Sequence, residues 1–172
     1  MKKTLQILLC AVFAIAASLY FGISSANAQQ VSINAPLKSG TLILLATQNT
    51  NLPSLTNTLK EPITVKIKAE GKWNFGQDVG QDKYGELVDA NGNSKYDRNN
   101  SAMKFPAFYA ATLVALKNNQ PVASGKEQTI ELLPGETVSF INNDAINGYS
   151  DNSGTQTINY SFVSKVVNGC GC

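Results

Sequence analysis

Two polar loops concentrate oxygen-bearing side chains, so the first chemistry to consider is the binding of a hard cation. The better signal is the segment 142–154 (NNDAINGYSDNSG), which lies between two stretches typical of strands. Asp144, Asp151 and Asn152 offer side-chain oxygens there, and Gly148 lets the backbone turn so that carbonyls face inward. Two carboxylates, an amide and backbone carbonyls make an oxygen cage of the type that Ca²⁺ accepts. A polar hairpin loop without metal is the alternative interpretation.

The other polar loop, Trp73 to Asn100, is unusually long for a connection inside a compact domain. Its segment 89–97 (DANGNSKYD) places oxygen side chains at alternate positions, as in the D-x-[DN]-x-[DN]-G calcium loop. The match is partial, because Ser94 stands where that loop has glycine and Asn100 stands where it has a bidentate glutamate. A metal-free Asn-Gly turn explains the same residues. The candidate ligands of this second calcium are Asp89, Asn91, Asn93 and Asp97.

Catalysis is not indicated by the residue types present. The chain has no histidine, which excludes Ser-His-Asp and Cys-His catalysis and any histidine-bound zinc. Asp78, Asp82 and Glu86 have no spacing that favours a glycosidase pair over ordinary solvated acids. We therefore expect a protein that is not an enzyme.

The last five residues, 168–172, form a glycine-rich tail with Cys170 and Cys172. An exported protein usually oxidises its thiols, but a Cys-x-Cys pair closes only a small, strained ring. An internal disulfide, a bridge to another chain, a soft-metal site and an inert tail all remain open. We favour the intermolecular bridge, which would make a homo-oligomer.

Short strands must position these loops. The segment 62–71 (PITVKIKAEG) alternates apolar and polar residues with a period of two, which is typical of a half-buried strand. Pro134-Gly135 is a strong turn signal between two such segments. Many short strands at this spacing predict an all-β fold, an antiparallel β-sandwich or jelly roll. The predicted strands are 40–47, 62–71, 112–117, 128–133, 136–142 and 155–167, with a surface loop or edge-covering segment at 48–60.

The first 28 residues have the charged, apolar and Ala-x-Ala parts of a cleaved signal peptide, with a retained membrane anchor as the alternative. Cleavage removes 2 of the 14 basic residues and leaves 12 basic against 12 acidic ones, so nothing draws the mature chain to nucleic acid. We expect a secreted, periplasmic or cell-surface protein without a membrane span after processing. The expected parts are the signal peptide (1–28), an N-terminal strand and loop segment (29–60), a β-sandwich domain that carries the candidate calcium loop (61–167) and the tail.

The segment from Asp144 to Gly154 resembles the calcium loop of the PA-IL-like bacterial galactose-binding lectins. That family has Asn-Asp, a short turn, Tyr, two adjacent calcium-binding amides, then Ser-Gly and a strand. The preceding ETVSFINND (136–144) and the upstream ITVKIKAEGKWNFG (63–76) are similar to the family's strands, and the resemblance covers residues 60–164. It implies a galactose-binding-domain-like sandwich, Ca²⁺ as the cofactor and a galactose-type carbohydrate as the partner.

The resemblance also implies a ligand set. Asp144, Asp151 and Asn152 would bind calcium through their side chains, and Phe75 and Gly148 through their backbone oxygens. This sequence departs from the family in two ways. Asp151 stands where the family has Asn, and the family's sugar-contacting histidine is absent. The loop of that histidine is replaced by residues 89–97, where the candidate substitutes are Asp89, Asn93 or Tyr96. The implied carbohydrate contacts are Asp144, Ala145, Asp151 and Asn152.

We therefore expect a secreted calcium-dependent, lectin-like protein in which the loop-bound ion bridges sugar hydroxyls. The alternative is a cell-surface structural or assembly protein with a structural calcium site and a disulfide-linked C-terminal tail. Trp73, the only tryptophan, is interpreted as core, with stacking on a sugar as the alternative. Phe105, Phe108 and Tyr109 are interpreted as core or pocket wall.

Overall fold

Two facing β-sheets make up the part of the chain that the computed structural model describes, residues 29–33, 39–76, 86–95 and 101–164. The predicted β-sandwich is confirmed. The signal-peptide segment and the tail with Cys170 and Cys172 lie outside the described residues. The elements are β1 Gln30–Ile33, β2 Ser39–Leu45, β3 Ser54–Asn57, β4 Ile63–Asn74, β5 Asn91–Asn93, β6 Ala110–Lys117, β7 Gln120–Ser124, β8 Glu127–Leu132, β9 Thr137–Asn142, a 3₁₀ helix Tyr149–Asp151 and β10 Ser153–Ser164.

One sheet has six strands in the order β1-β3-β9-β6-β5, with β7 also paired to β6, and the other has four in the order β2-β10-β4-β8. The β1–β3 pair is parallel and the other strand pairs are antiparallel. The longest pairing joins β4 to β10 over twelve residues, from Asn74↔Ser153 to Ile63↔Ser164. Both polar loops leave the sandwich at the Asn74–Ser153 end of this pair, so the fold brings their ends together.

The core lies between the sheets and follows the alternation in the sequence. Ile63, Val65, Ile67 and Ala69 of β4 are buried, while the residues between them face outward. Burial of these side chains stabilises the sheet by about 1.5–3 kcal/mol for each large aliphatic residue. Strand β6 is buried on both faces, because Val114 and Leu116 pack with Ile141 in a second, smaller cluster on the outer face of the six-stranded sheet.

The expectation of a surface loop over residues 48–60 was wrong. Residues Ser54–Asn57 form β3, which lies between β1 and β9 and has its Leu55 fully buried. The sequence SLTN has too few apolar residues to predict a strand. The segment is a strand because β1 and β9 pair with it on both sides. Strand β7 was also missed: Asn118 and Asn119 form a turn with φ of 50° and 61°, and Gln120–Ser124 returns along β6. Within the described ranges, no helix has the length and apolar character needed to cross a membrane.

Candidate functional site

The loop from Asn142 to Ser153 passes from one sheet to the other. Its first end belongs to β9 in the six-stranded sheet and its second to β10 in the four-stranded sheet, so the loop is not a hairpin, and whether it binds a metal stays a prediction. The loop is held along its length by an antiparallel bridge between Ala145 and Met103 and by the 3₁₀ helix Tyr149–Asp151. The backbone oxygen of Asp144 also accepts a 2.8 Å hydrogen bond from the amide of Lys104. The candidate ligands therefore sit on a loop that is anchored to both sheets.

Asp144 is the buried centre of this loop, with 3% of its surface exposed. Its Oδ1 accepts a 2.6 Å hydrogen bond from the amide of Ala145, and its Oδ2 accepts one of 2.7 Å from Nδ2 of Asn152. Burial raises the pKa of the Asp144 carboxyl; these two hydrogen bonds oppose that rise, and the charge of Asp151 adds to it. The two carboxylates are therefore near enough to repel each other, an arrangement that a bound cation relieves.

Asn152 links the loop to the neighbouring strand connection. Its Nδ2 donates to the backbone oxygen of Ala46 (3.1 Å) as well as to Asp144, and the residue is 6% exposed. Its Oδ1 is buried and finds no hydrogen-bond partner among the described residues. A buried acceptor without a donor is costly, so this oxygen is available to a ligand that the chain itself does not supply.

Two glycines let the backbone come close to the carboxylates. A Cβ at Gly148 would lie 3.1 Å from both carboxylate oxygens of Asp144, and one at Gly76 would lie 2.8 Å from Oδ2 of Asp151. Phe75, the predicted backbone ligand, directly precedes Gly76 and is 5% exposed. The structure thus brings Asp144, Gly148, Asp151 and Asn152 together with the end of β4, although residues 75 and 151 are far apart in the sequence.

This donor set fits calcium. It offers two carboxylates and one unpartnered amide oxygen, with the backbone at Gly76 and Gly148 close to the carboxylates, and these are hard oxygen ligands of the kind that calcium takes in flexible geometry. Over the described ranges there is no group of three or more His, Cys, Asp or Glu placed to hold a metal, so a site here depends on amide and backbone oxygens. Side-chain oxygens of this type do not favour softer metals.

The described residues of the other predicted calcium loop make local turns. Oδ1 of Asp89 accepts the amide of Asn91 (3.0 Å), Oδ1 of Asn91 accepts the amide of Lys126 (2.9 Å), and Oδ1 of Asn93 accepts the amide of Lys95 (3.0 Å). The Asp89 and Asn93 bonds close short turns, whereas the Asn91 bond reaches the segment before β8, and Asn91 and Gly92 themselves belong to β5. Asp97 lies outside the described residues, and the second calcium stays a prediction.

Trp73 is a core residue. Its side chain is fully buried, and its Nε1 donates a 2.7 Å hydrogen bond to the backbone oxygen of Ala111, which excludes stacking on a sugar. Phe105 and Phe108 are half-buried and cover the outer hydrophobic cluster, as expected for a pocket wall.

Asn143 is a residue of this site that the sequence did not identify. It is fully buried: Oδ1 accepts the amide of Phe105 (3.0 Å), and Nδ2 donates to the backbone oxygens of Phe105, Phe108 and Tyr109 at 3.0–3.2 Å. It thus fixes the segment 104–109 against the loop next to Asp144. No sequence signal separates this structural Asn from a ligand, because both are polar loop residues.

Comparison with solved structures gives several likenesses, including one to a lectin domain and one to a lysozyme inhibitor. No family model and no curated protein matches the sequence. The chain is similar to a solved "EclA N-terminal domain; PllA-like lectin" with 18% identity and a TM-score of 0.48, over 74% of this chain and 97% of that one. It is also similar to PliG of Aeromonas hydrophila, a periplasmic inhibitor of g-type lysozyme, with 9% identity and a TM-score of 0.32, over 80% of this chain and 98% of that one. At TM-scores below 0.5 these likenesses assign neither a family nor a function.

Proposed function

We propose that this chain is an exported calcium-dependent carbohydrate-binding protein, with the ion held by the loop between β9 and β10. The observation that carries the proposal is that the buried Asp144 carboxylate lies near the Asp151 carboxylate and contacts the side-chain amide of Asn152, whose Oδ1 is buried without a partner among the described residues. A site of this composition has uncompensated negative charge and a free buried acceptor, and a cation satisfies both.

The residues divide into ligands and supports. Asp144, Asp151 and Asn152 would hold calcium through side-chain oxygens, and Gly148 and Phe75 through backbone oxygens. When bound, calcium supplies open coordination positions that two adjacent sugar hydroxyls can fill, because its coordination number is high and variable. The carboxylates and the Asn152 amide would also hydrogen-bond those hydroxyls, and the amide of Ala145 already orients one oxygen of Asp144.

We propose carbohydrate as the ligand class and leave galactose as the first sugar to test. The missing histidine has no evident replacement among the described residues of the segment 89–97, since Asp89 and Asn93 both accept hydrogen bonds from nearby backbone amides. The identity of the sugar then depends on contacts that a panel of glycans must identify.

Calorimetry of the mature protein, residues 29–172, tests the proposal. After removal of calcium with a chelator, we expect calcium to bind with a stoichiometry of about one for the Asp144 site and a sugar from a glycan panel to bind only to the calcium-loaded protein. Calcium at 100 times its Kd should stabilise the fold by about 2.7 kcal/mol. Absence of calcium binding would overturn the proposal, and sugar binding in chelator would overturn the bridging role of the ion.

Matched variants distinguish the loss of a calcium ligand from the loss of one negative charge on the protein. Asp144→Asn should abolish calcium binding and calcium-dependent sugar binding together, because it removes the buried carboxylate. Glu70→Gln makes the same acid-to-amide change on exposed Glu70 of β4, which pairs with Lys68 at 2.9 Å, and should bind as the wild type does. Calcium binding without binding of any glycan would favour the alternative, a surface assembly protein with a structural calcium.

A further inference from the structure

The outer face of the six-stranded sheet carries a cleft of about 700 Å³ that the calcium site does not use. Its floor is a row of residues that are direct partners across four adjacent strands. Gln30 of β1 pairs with Ser54 of β3, Ser54 pairs with Ser139 of β9, and Ser139 pairs with Leu116 of β6. Since neighbouring strands are about 4.8 Å apart, this floor extends about 14 Å across the sheet, which is longer than a single sugar ring.

The walls of the cleft come from three connections. Leu52 belongs to the segment between β2 and β3, and Phe105 to the segment before β6, and both pack on the cluster of Val114, Leu116 and Ile141 beneath. Asn119 in the β6–β7 turn closes one end. The cleft therefore offers a floor with amide and hydroxyl groups between apolar walls.

The chemistry of the lining narrows the ligand. Among the described residues that line the cleft, Lys104 is the single charged one and none has a carboxylate, so these residues complement neither a cation nor a polyanion. Within the described part of the chain, the side chains of Ser54, Ser139 and Asn119 make no hydrogen bond to the protein, so their groups are free for a ligand. Neutral donors and acceptors along the floor, beside the apolar walls of Leu52 and Phe105, match a sugar chain, whose rings have C–H faces and hydroxyl edges.

We propose that this cleft is a second, metal-independent binding site for an uncharged oligosaccharide. Asp144, Asp151 and Asn152 do not line it, so the proposal depends on different residues from the calcium site and stands or falls separately. The segment 104–105 connects the candidate calcium loop to the cleft. The amide of Lys104 donates a hydrogen bond to the backbone oxygen of Asp144, and Lys104 also lines the cleft.

The test is NMR titration of the mature protein in chelator with a panel of neutral tetrasaccharides, including cellotetraose and maltotetraose. We expect saturable shifts of the amides of Leu52, Phe105 and Asn119 with one or more of these sugars, and no saturable shift within 145–152. The Asp144→Asn variant should show the same shifts of the cleft amides. A failure of the calcium site is thereby distinguished from a failure of the cleft. If no sugar of the panel shifts the cleft residues saturably, or if the shifts need calcium, the proposal is wrong.

Two matched pairs of variants locate the binding. Ser139→Leu fills the middle of the floor and should weaken binding by about ten-fold or more, equivalent to about 1.4 kcal/mol. Ser161→Leu makes the same change on the exposed outer face of β10, and should leave binding unchanged. Should Ser139→Leu fail to fold, Asn119→Gly removes a lining amide at a φ of 61° that glycine accepts, with Asn118→Gly at 50° as its control. Equal affinities within both pairs would contradict the assignment.

Discussion

At the residue scale, the candidate site is defined by the burial of the Asp144 carboxylate and by the hydrogen bonds that compensate its charge. Among the described residues, two donors compensate the Asp144 carboxylate, the Ala145 amide and the Asn152 side chain, and burial raises the pKa of Asp144 despite them. Burying a charge is costly unless it is paired. A protein whose only need was a polar loop would place a neutral side chain at this position. A buried carboxylate with a raised pKa is what we expect of a site that a cation completes.

Asn143 holds the wall of the site through four hydrogen bonds to the segment 105–109. Asn143→Ala should lower the free energy of unfolding by about 3 kcal/mol, because it leaves buried backbone groups without partners. Urea denaturation measures the loss. Asn147→Ala, in the exposed part of the same loop, should change the free energy by less than about 0.5 kcal/mol. Similar losses in both variants would show that Asn143 has no special supporting role.

Gly76 tests whether the end of β4 belongs to the site. An Ala at this position would place its Cβ 2.8 Å from Oδ2 of Asp151, at a φ of 115°. Gly135, at a φ of 80° with no atom within 4 Å of the added Cβ, is the control for backbone strain alone. We expect both Gly→Ala variants to lose about 1–2 kcal/mol of stability. Only Gly76→Ala should also weaken calcium binding about ten-fold, and an unchanged affinity would remove Phe75 and Gly76 from the site.

At the element scale, the β8–β9 turn is tied to β6 by one ion pair. Nζ of Lys117 lies 2.8 Å from Oε2 of Glu136, and the same oxygen accepts the amide of Leu133 at 2.8 Å. The hydrogen bond from Lys117 is the largest cause that lowers the pKa of Glu136, followed by that from Leu133. The pair thus fixes the Pro134-Gly135 turn that the sequence predicted, and with it the start of β9.

The lowered pKa of Glu136 gives this contact a defined pH dependence. The stability that it contributes is fully present above the unfolded pKa of about 4.3 and is lost as the pH falls through the lower folded pKa. Lys117→Met should therefore lower the free energy of unfolding by about 0.5 kcal/mol at pH 7, as is usual for partly exposed ion pairs. The loss should become progressively smaller toward pH 3. Urea denaturation across this range measures the difference, and a cost that stays constant with pH would assign the effect to packing.

At the scale of the whole molecule, one loop joins the two sheets at the place where the candidate ligands meet. Because β9 and β10 belong to different sheets, and Asn152 also bonds to Ala46 after β2, an ion in this loop would tie both halves of the sandwich together. Bound calcium should then raise the free energy of unfolding of the whole sandwich. Thermal or urea unfolding with and without calcium would therefore report on the site as directly as calorimetry does.

The C-terminal cysteines raise a separate question of assembly. Cys170 and Cys172 lie outside the described residues, and their intermolecular bridge remains a prediction from the sequence. We expect mature protein produced under oxidising conditions to run as multimers that collapse to one band on reduction, and Cys170→Ser with Cys172→Ser together to abolish them. A monomer with and without reductant would contradict the bridge.

Much of the fold could be predicted from the sequence because strand alternation is local. Ile63 to Ala69 of β4 and Ile158, Tyr160 and Phe162 of β10 bury the faces that their period of two indicated. Strand β3 and the short β5 and β7 could not be predicted, since residues such as those of SLTN and QPVAS form strands only where a neighbour supplies the pairing.

The sequence by itself determined the all-β class, the absence of histidine chemistry and the loop that carries Asp144, Asp151 and Asn152. Only the tertiary structure decided that this loop crosses between sheets, that Gly76 approaches Asp151, that Asn143 is a support and that Trp73 is core. It also created the outer cleft, whose floor takes one residue from each of four strands. The physical reason is that alternation and turn chemistry act between near neighbours in the chain, whereas convergence depends on strand register, which distant partners set together.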